Sequence, residues 1–205
     1  EPVARLKTAM ENGEMYLVYQ PQIDLVSNEL RGLEALLRWN HPERGEISPR
    51  QAIAIIEKRG KMEAIGRWVT AEVCRQVRRW KAQGVEFIRV AINISGAQIR
   101  EPGGLKSIVE QIKTLGVTLH EVELELTETV LVEAQDSVRT LMEQLADQGL
   151  QFSIDDFGTG YSSLAYLRQL PVFALKIDRT FVMDMVKDDQ DKAIVASTIA
   201  LAHSL

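Results

Sequence analysis

The sequence predicts an α/β fold, and a barrel of parallel strands is the leading form of it. Short apolar runs alternate with longer segments of helical periodicity, which is the pattern of strands joined by crossover helices. The chain has 205 residues, near the lower limit for a (β/α)₈ barrel, for which about 250 residues is typical. With 45% hydrophobic and 26% charged residues, the composition is that of one globular domain and excludes a disordered chain.

The first part of the chain predicts one helix and a hairpin. Residues 3–12 form a helical pattern that ends at Gly13, and residues 15–25 and 30–39 are apolar runs typical of strands. The link between the two runs is short, which favours an antiparallel pair. Pro21 lies inside the first strand and indicates an edge strand or a bulge.

The rest of the chain alternates between helices and strands. In residues 62–80 apolar side chains recur at every fourth position, as they do on one face of a helix. Helices are predicted at 49–59, 62–80, 105–115, 133–148, 162–167 and 190–204. Strands are predicted at 87–94, 122–126, 151–154 and 174–177, which makes six strands with the hairpin.

Charge and apolar content limit where the domain acts and what it binds. The chain carries 24 basic and 29 acidic residues, and this net charge of −5 argues against a broad grip on duplex nucleic acid. Its longest apolar stretch, residues 193–202, is shorter than the ~20 residues that cross a bilayer, and residues 1–10 do not resemble a signal peptide. The single cysteine, Cys74, fits a reducing compartment. We therefore expect a cytoplasmic domain without membrane contact of its own, in a parent protein that is either free or membrane-anchored.

Polar side chains recur on one face of several predicted strands. Because side chains alternate along a strand, Asn93, Glu125 and Lys176 each lie opposite their apolar neighbours. If the apolar faces pack on helices, these side chains point into the barrel, near the carboxyl ends of the strands, where barrel enzymes have their active sites. The acidic residues predicted near this end are Glu34, Glu125, Asp155 and Asp156.

This group of carboxylates predicts a metal centre. Like charges within a few ångström raise each other's pKa, and a divalent cation relieves the repulsion. Ligands that are all oxygen favour Mg²⁺ or Mn²⁺, whereas the three histidines are too scattered along the sequence for a zinc site. A single acidic residue in a strand is more often solvated or ion-paired, so the prediction depends on several of them converging.

Six motifs lie in order along the chain. They are Tyr19-Gln20-Pro21, Glu34-Ala35-Leu36 continued by Leu37-Arg38-Trp39, Asn93-Ile94-Ser95, Glu125-Leu126-Thr127-Glu128, the loop at 155–164, and Leu175-Lys176-Ile177-Asp178. In this order, over essentially the whole chain, they resemble the motifs of the EAL domains, which hydrolyse the bacterial second messenger cyclic di-GMP. The resemblance implies a TIM-like (β/α)₈ barrel with an antiparallel first strand.

The resemblance also implies two metal ions, Mg²⁺ or Mn²⁺, and a role for each site residue. Ligands of the first ion are implied at Glu34, Asn93, Glu125 and Asp155. Asp155 and Asp156 would share in a second ion. Lys176 would orient the attacking water, so that the implied catalytic group is Lys176 with Glu34, Asp155 and Asp156.

Substrate contacts are implied at Gln20, Leu36, Arg38, Asn93 and Asp178. Arg38 suits a phosphate, because a guanidinium fork makes two directed contacts. Glu128 would anchor the loop that contains Gly158, Thr159 and Gly160, which in this family links metal binding to dimer contacts. The implied reaction opens one phosphodiester of cyclic di-GMP and gives linear 5′-pGpG. The implied partners are a second copy of the chain and fused sensory or diguanylate-cyclase-type domains.

EAL domains continue after the helix at 190–204 with two further strands. The first carries a glutamate in an Ala-Glu-Gly-Val context, and no such string occurs in these 205 residues. We therefore interpret residues 1–205 as one EAL domain that lacks its last two strands, with residues 1–13 as a connector from an upstream region. Either these residues belong to a complete domain, which the exposed edges of a six-stranded barrel favour, or the protein is truncated and catalytically impaired.

Three functions remain open at this point. The first is hydrolysis of cyclic di-GMP, which the intact metal and lysine motifs favour. The second is a non-hydrolytic receptor that binds cyclic di-GMP and passes the signal to a partner protein. The third is an unrelated Mg²⁺-dependent barrel enzyme, which leaves Arg38 and the loop at 155–164 without a role.

Overall fold

The computed structural model describes residues 2–86, 89–128, 130, 136–159 and 167–205. The strands are β1 (Met15–Ile23), β2 (Leu30–His41), β3 (Gly45–Ile47), β4 (Arg89–Ile94), β5 (Val122–Thr127), β6 (Gln151–Phe157) and β7 (Ala174–Ile177). The helices are α1 (Pro2–Glu11), α2 (Pro49–Lys58), α3 (Met62–Ala82), α4 (Gly96–Arg100), α5 (Gly104–Thr114), α6 (Asp136–Ala146), α7 (Arg179–Asp184) and α8 (Asp189–Ser204). A 3₁₀ turn, Leu119–Glu121, precedes β5. None of the described helices is both long enough and apolar enough to span a membrane.

Seven strands form one sheet in the described part of the chain. Their order is β1-β2-β4-β5-β6-β7, and β3 pairs with β2 beside this path. The first two strands are antiparallel, and every neighbouring pair from β2 through β4 to β7 is parallel. The structure thus confirms the predicted TIM-like α/β architecture with an antiparallel first strand, here as an open sheet.

The register of the parallel strands aligns the polar side chains. Asn93 of β4 pairs with Glu125 of β5, which pairs with Ser153 of β6, and Thr127 pairs with Asp155. Alternate residues share a face of the sheet, so Asp155 lies on the same face as Ser153 and Glu125. One face of three neighbouring strands therefore carries Asn93, Glu125 and Asp155, which the sequence singled out.

The main core lies between the opposite face of the sheet and the helices. Its fully or nearly fully buried side chains include Val73, Val77, Val90, Ile92, Ile108, Ile112, Leu124, Leu126, Phe152 and Ile154. A second cluster joins α1 and α2 to the hairpin through Leu6, Ala9, Met15, Trp39 and Ile56. The predicted first helix is therefore present and packs on the hairpin, while its role as a connector stays a prediction.

Two kinds of difference separate the predicted elements from the structure. Six strands were predicted and seven are present among the described residues, and the additional one is β3. With three residues it is too short to show the alternation of side chains that marks a strand. The helices α4 and α7, with five and six residues, give fewer than two turns and left no visible periodicity. The predicted helix at 162–167 lies almost entirely outside the described residues, as do the first residues of the strand at 87–94 and of the helix at 133–148.

Candidate metal centre

Five strands each contribute one side chain to the candidate site. They are Glu34 of β2, Asn93 of β4, Glu125 of β5, Asp155 of β6 and Lys176 of β7. The alternation within β5 shows why: Leu124 and Leu126 are buried in the helix-facing core, so Glu125 between them points to the opposite face. Five of the six residues that the sequence grouped are thus together in space.

Lys176 lies at the centre of three carboxylates. Its Nζ is 2.5 Å from Oε2 of Glu125 and 3.0 Å from Oε2 of Glu34, and it donates a hydrogen bond to each. The same nitrogen is 3.4 Å from Oδ1 of Asp155. Asn93 completes the group, because its Nδ2 donates to Oε1 of Glu34 at 2.9 Å.

Burial and close charges shift the ionisation of these groups. Burial raises the pKa of Glu125 to about 8, against the opposing attraction of Lys176. Burial by itself lowers the pKa of Lys176, but the three carboxylates around it outweigh burial and hold the pKa above its ordinary value. Burial likewise opposes ionisation of Glu34, yet the hydrogen bond from Asn93 and the charge of Lys176 lower its pKa. Lys176 therefore remains a charged donor at neutral pH.

The donor set fits a hard divalent cation. Glu34, Glu125 and Asp155 each offer a carboxylate oxygen, and these three oxygens lie within 4.8 Å of one another. The second oxygen of Glu125, Oε1, is buried and has no hydrogen-bond partner among the described residues, which is costly unless a cation or water satisfies it. Oxygen ligands at this spacing favour Mg²⁺ or Mn²⁺ over softer metals.

Asp156 follows Asp155 but is not one of the three clustered carboxylates. Its φ of 53° lies in the left-handed region, which a residue other than glycine rarely adopts. Its side chain shares a hydrogen bond with Asp178, and burial followed by the charges of Asp155 and Asp178 raises its pKa. Asp178 caps α7 by accepting hydrogen bonds from the N–H and the hydroxyl of Thr180. Asp156 and Asp178 therefore form a second acidic pair next to the first group.

Three of the five residues expected to contact substrate lie along the hairpin, whereas Asn93 lies on β4 and Asp178 caps α7. Gln20 pairs with Glu34 across β1 and β2, and Leu36 and Arg38 follow Glu34 at intervals of two. These four side chains consequently share one face of the hairpin. Arg38 is half-buried and donates from Nη1 to the carbonyl of Leu37 at 2.9 Å. Their contact with a ligand stays a prediction.

The loop after β6 is attached to the segment that follows β5. Glu128 is buried, and its Oε2 accepts a hydrogen bond from the N–H of Gly158 at 3.4 Å. Gly158 has a φ of +99°, which favours glycine, and a Cβ there would lie in tight contact with the ring of Phe181 at 3.1 Å. Thr159 donates from Oγ1 to the carbonyl of Asp156 at 2.8 Å. The predicted loop residue Gly160 lies outside the described residues.

Sequence reasoning missed two polar residues near the site. Gln98 is buried and closes a capping box with Ser95 at the start of α4. Its signal was present, because Ser-x-x-Gln before a helix is the capping-box pattern. Ser153 is buried on the same face as Glu125, and within the described part of the chain its hydroxyl has no hydrogen-bond partner. No sequence pattern marks such a residue, since a serine in a strand is ordinarily unremarkable.

The fold and the site together define a class of protein: a barrel-type α/β domain with a cluster of carboxylates that could hold a metal ion toward the carboxyl ends of its strands. The chain belongs to the EAL domain family, whose model matches residues 3–205.

Relatives and solved structures agree with this membership. The chain is 40% identical over 200 residues to the bifunctional diguanylate cyclase/cyclic di-GMP phosphodiesterase MucR of Pseudomonas aeruginosa, covering 98% of this chain and 29% of the relative. It is 38% identical over 200 residues to the cyclic di-GMP phosphodiesterase PdeR of Escherichia coli, covering 98% of this chain and 30% of that protein. A solved structure of the MucR phosphodiesterase in complex with c-di-GMP superposes with a TM-score of 0.91 and 39% identity, over 98% of this chain and 82% of that one. The chain therefore spans about three-tenths of the length of these curated relatives.

Proposed function

We propose that this domain hydrolyses cyclic di-GMP to linear 5′-pGpG with two divalent cations, Mg²⁺ or Mn²⁺. The observation that carries the proposal is the convergence of Glu34, Glu125 and Asp155 around Lys176, on a face shared with Asn93. Relatives that cover almost all of this chain, at 38–40% identity, are named cyclic di-GMP phosphodiesterases. These names support the choice of substrate.

The donor set assigns the residues that would hold the cations. Glu34, Asn93, Glu125 and Asp155 would bind the first cation, and Asp155 with Asp156 would bind the second. When bound, a pair of divalent cations activates water and neutralises charge in an in-line displacement at phosphorus.

The remaining residues bind the substrate and control its surroundings. Lys176 stays protonated among its carboxylates, so it acts as a hydrogen-bond donor that orients the attacking water rather than as a base. Arg38 pairs with a phosphate of the dinucleotide through its guanidinium fork. Gln20, Leu36 and Asp178 line the ligand, and the Glu128–Gly158 hydrogen bond holds the loop that follows Asp156.

The proposal extends to the whole protein. Since the curated relatives are about three times longer than this chain, we place residues 1–205 inside a longer protein with sensory or diguanylate-cyclase-type domains, joined through residues 1–13. The described sheet has β1 and β7 at its edges, and unpaired edges are normally protected. Two further strands outside residues 1–205 would cover them. A homodimer is the proposed assembly.

Turnover by the full-length protein tests this function. Cyclic di-GMP is incubated with the protein and either Mg²⁺ or Mn²⁺, and the products are separated by chromatography, with a chelator as the control. We expect one 5′-pGpG for each cyclic di-GMP consumed, and no product when the chelator is present. Binding of cyclic di-GMP by calorimetry without any turnover under either metal would instead establish the receptor function and contradict the proposal.

A further inference from the structure

The turn that connects β4 to α4 is closed by one buried glutamine. Gln98 is only 6% exposed, and its Oε1 accepts hydrogen bonds from the backbone N–H of Ser95 at 3.1 Å and from its hydroxyl at 3.0 Å. The N–H of Gln98 points back to the Ser95 hydroxyl at 3.4 Å. These reciprocal contacts satisfy polar groups that the start of a helix otherwise leaves without partners.

Neighbouring helices hold Gln98 from two sides. A Cβ at Gly66, which is buried in α3, would lie 2.0 Å from Nε2 of Gln98, so the side-chain amide packs directly on that backbone. A Cβ at Gly104, the first residue of α5, would lie 1.9 Å from the carbonyl oxygen of Gln98. A side chain at Gly66 would therefore displace the amide of Gln98, and glycine is required at Gly104, where the contact is with the backbone.

The fixed turn begins two residues after Asn93. Asn93 is the penultimate residue of β4, and its side-chain amide reaches Glu34 on the neighbouring strand at 2.9 Å. Ile94, Ser95 and the capping box follow without a break. The backbone of Asn93 and Ile94, which is paired with β5, therefore continues directly into the turn that Gln98 fastens to α3 and α5.

We propose that Gln98 is a positioning residue: by fastening the β4–α4 turn it holds the Asn93 amide beside Glu34 in the geometry that binds a divalent cation. The link to a cation rests on the proposed function. Gln98 does not itself touch the clustered carboxylates in the structure; it acts through the backbone of residues 93–95. Residues that orient metal ligands typically change metal affinity or activity by about 10–100-fold when they are replaced.

The test compares Gln98→Ala, Gln98→Glu and a matched control, Gln111→Ala, in the full-length protein. Gln111 is also a glutamine that packs on α3, where its Nε2 donates to the carbonyl of Arg67 at 2.8 Å, but it lies on α5 away from the turn. Two quantities are measured: the side-chain amide signal of Asn93 in ¹⁵N-asparagine-labelled, metal-free protein, and the dissociation constant of Mn²⁺ without substrate. The Asn93 signal is assigned by its loss in Asn93→Ala.

We expect Gln98→Ala to shift or broaden the Asn93 signal and to weaken Mn²⁺ binding about 10-fold or more. Gln98→Glu keeps an acceptor for both Ser95 donors, so it should preserve the signal and bind Mn²⁺ within about twofold of the parent protein. Gln111→Ala should change neither quantity. If Gln98→Ala does not fold, Gln98→Glu still decides, because loss of the Asn93 signal in that folded variant would refute the proposal.

An unchanged Asn93 signal in folded Gln98→Ala would overturn the proposal, as would an equal weakening of Mn²⁺ binding in Gln111→Ala. The signal is read without metal or substrate, so it separates this proposal from the proposed function. The parent protein could leave cyclic di-GMP intact while Gln98→Ala shifts the Asn93 signal and weakens Mn²⁺ binding. That result would support the positioning role, and it would contradict only the proposed hydrolysis.

Discussion

Lys176 and its three carboxylate neighbours form an unbalanced set of charges. If all four groups are ionised, three negative charges face one positive charge, which leaves a formal charge of −2 in a partly buried site. Burial is the largest cause of the raised pKa of Glu125, and the charges of Glu34 and Asp155 add to it against the attraction of Lys176. A bound divalent cation would balance this excess of negative charge.

Cys74 gives a residue-scale prediction away from the site. Burial raises the pKa of its thiol to about 11, so about a thousandth of it is thiolate at pH 8. We expect native protein treated with iodoacetamide at pH 8 to leave Cys74 unmodified, whereas denatured protein is modified fully. Mass spectrometry of the peptide that contains Cys74 measures both. Rapid, complete modification of the native protein would contradict the burial of α3 in the core.

At the scale of elements, a polar contact attaches α3 to the start of β5. Glu121 is nearly buried, and its Oε1 forms an ion pair with Nζ of Lys81 at 2.8 Å. Its Oε2 accepts hydrogen bonds from the N–H and the hydroxyl of Thr118. Burial by itself would raise the pKa of Glu121, but Lys81 and Thr118 lower it. The Glu121 carboxylate therefore binds a proton more readily in the unfolded chain than in the folded protein. Its contribution to stability is present at neutral pH and is lost as the pH falls through the lowered pKa.

We expect Glu121→Ala to lower the free energy of unfolding by about 2 kcal/mol at pH 7, because three hydrogen bonds to a charged group are lost. The matched control is Glu63→Ala, which removes an exposed ion pair with Arg67 and should cost about 0.5 kcal/mol or less. Denaturant unfolding of the two variants measures the difference. Equal losses in both would show that the Lys81–Glu121 contact does not hold α3 against β5.

The loop after β6 gives a second prediction at this scale. Replacing Glu128 by alanine removes the acceptor for the N–H of Gly158 and should loosen the segment that leads away from Asp155 and Asp156. We expect turnover to fall about 10-fold and Mn²⁺ binding to weaken, since residues that orient metal ligands have effects of this size. Glu143→Ala on the exposed face of α6 is the control. Unchanged metal affinity and unchanged oligomeric state in Glu128→Ala would contradict the anchoring role.

The elements also show where sequence patterns are informative. Long periodic segments such as α3 were predicted within two residues, because burial of one face over many turns imposes a repeating pattern. The three-residue strand β3 and the short helices α4 and α7 impose no such pattern, because they are held by pairing and caps rather than by a long apolar face. Local hydrogen bonds stabilise these short elements, and the pattern of apolar residues does not indicate where those bonds form.

For the whole molecule, the position of the site could be predicted where side chains alternate regularly along the strands of the sheet. Parallel strands end at one edge, so Asn93, Glu125 and Lys176 could be grouped from their alternation alone. Asp156 could not be placed in this way, because its left-handed backbone conformation separates it from the alternation of β6 and pairs it with Asp178. The turn fastened by Gln98 depends on close contacts with α3 and α5, which only the assembled fold supplies.

We infer that the clustered carboxylates hold the metal ions for the hydrolysis of cyclic di-GMP. The most direct measurement is the rate of 5′-pGpG formation by full-length Glu34→Ala, with Mn²⁺, against the matched surface variant Glu63→Ala. We expect the rate in Glu34→Ala to fall by about 100-fold or more, with the free energy of unfolding within about 1 kcal/mol of the parent protein, because the change removes a metal ligand and relieves charge repulsion. A folded Glu34→Ala protein that turns over cyclic di-GMP within about twofold of Glu63→Ala would contradict the claim.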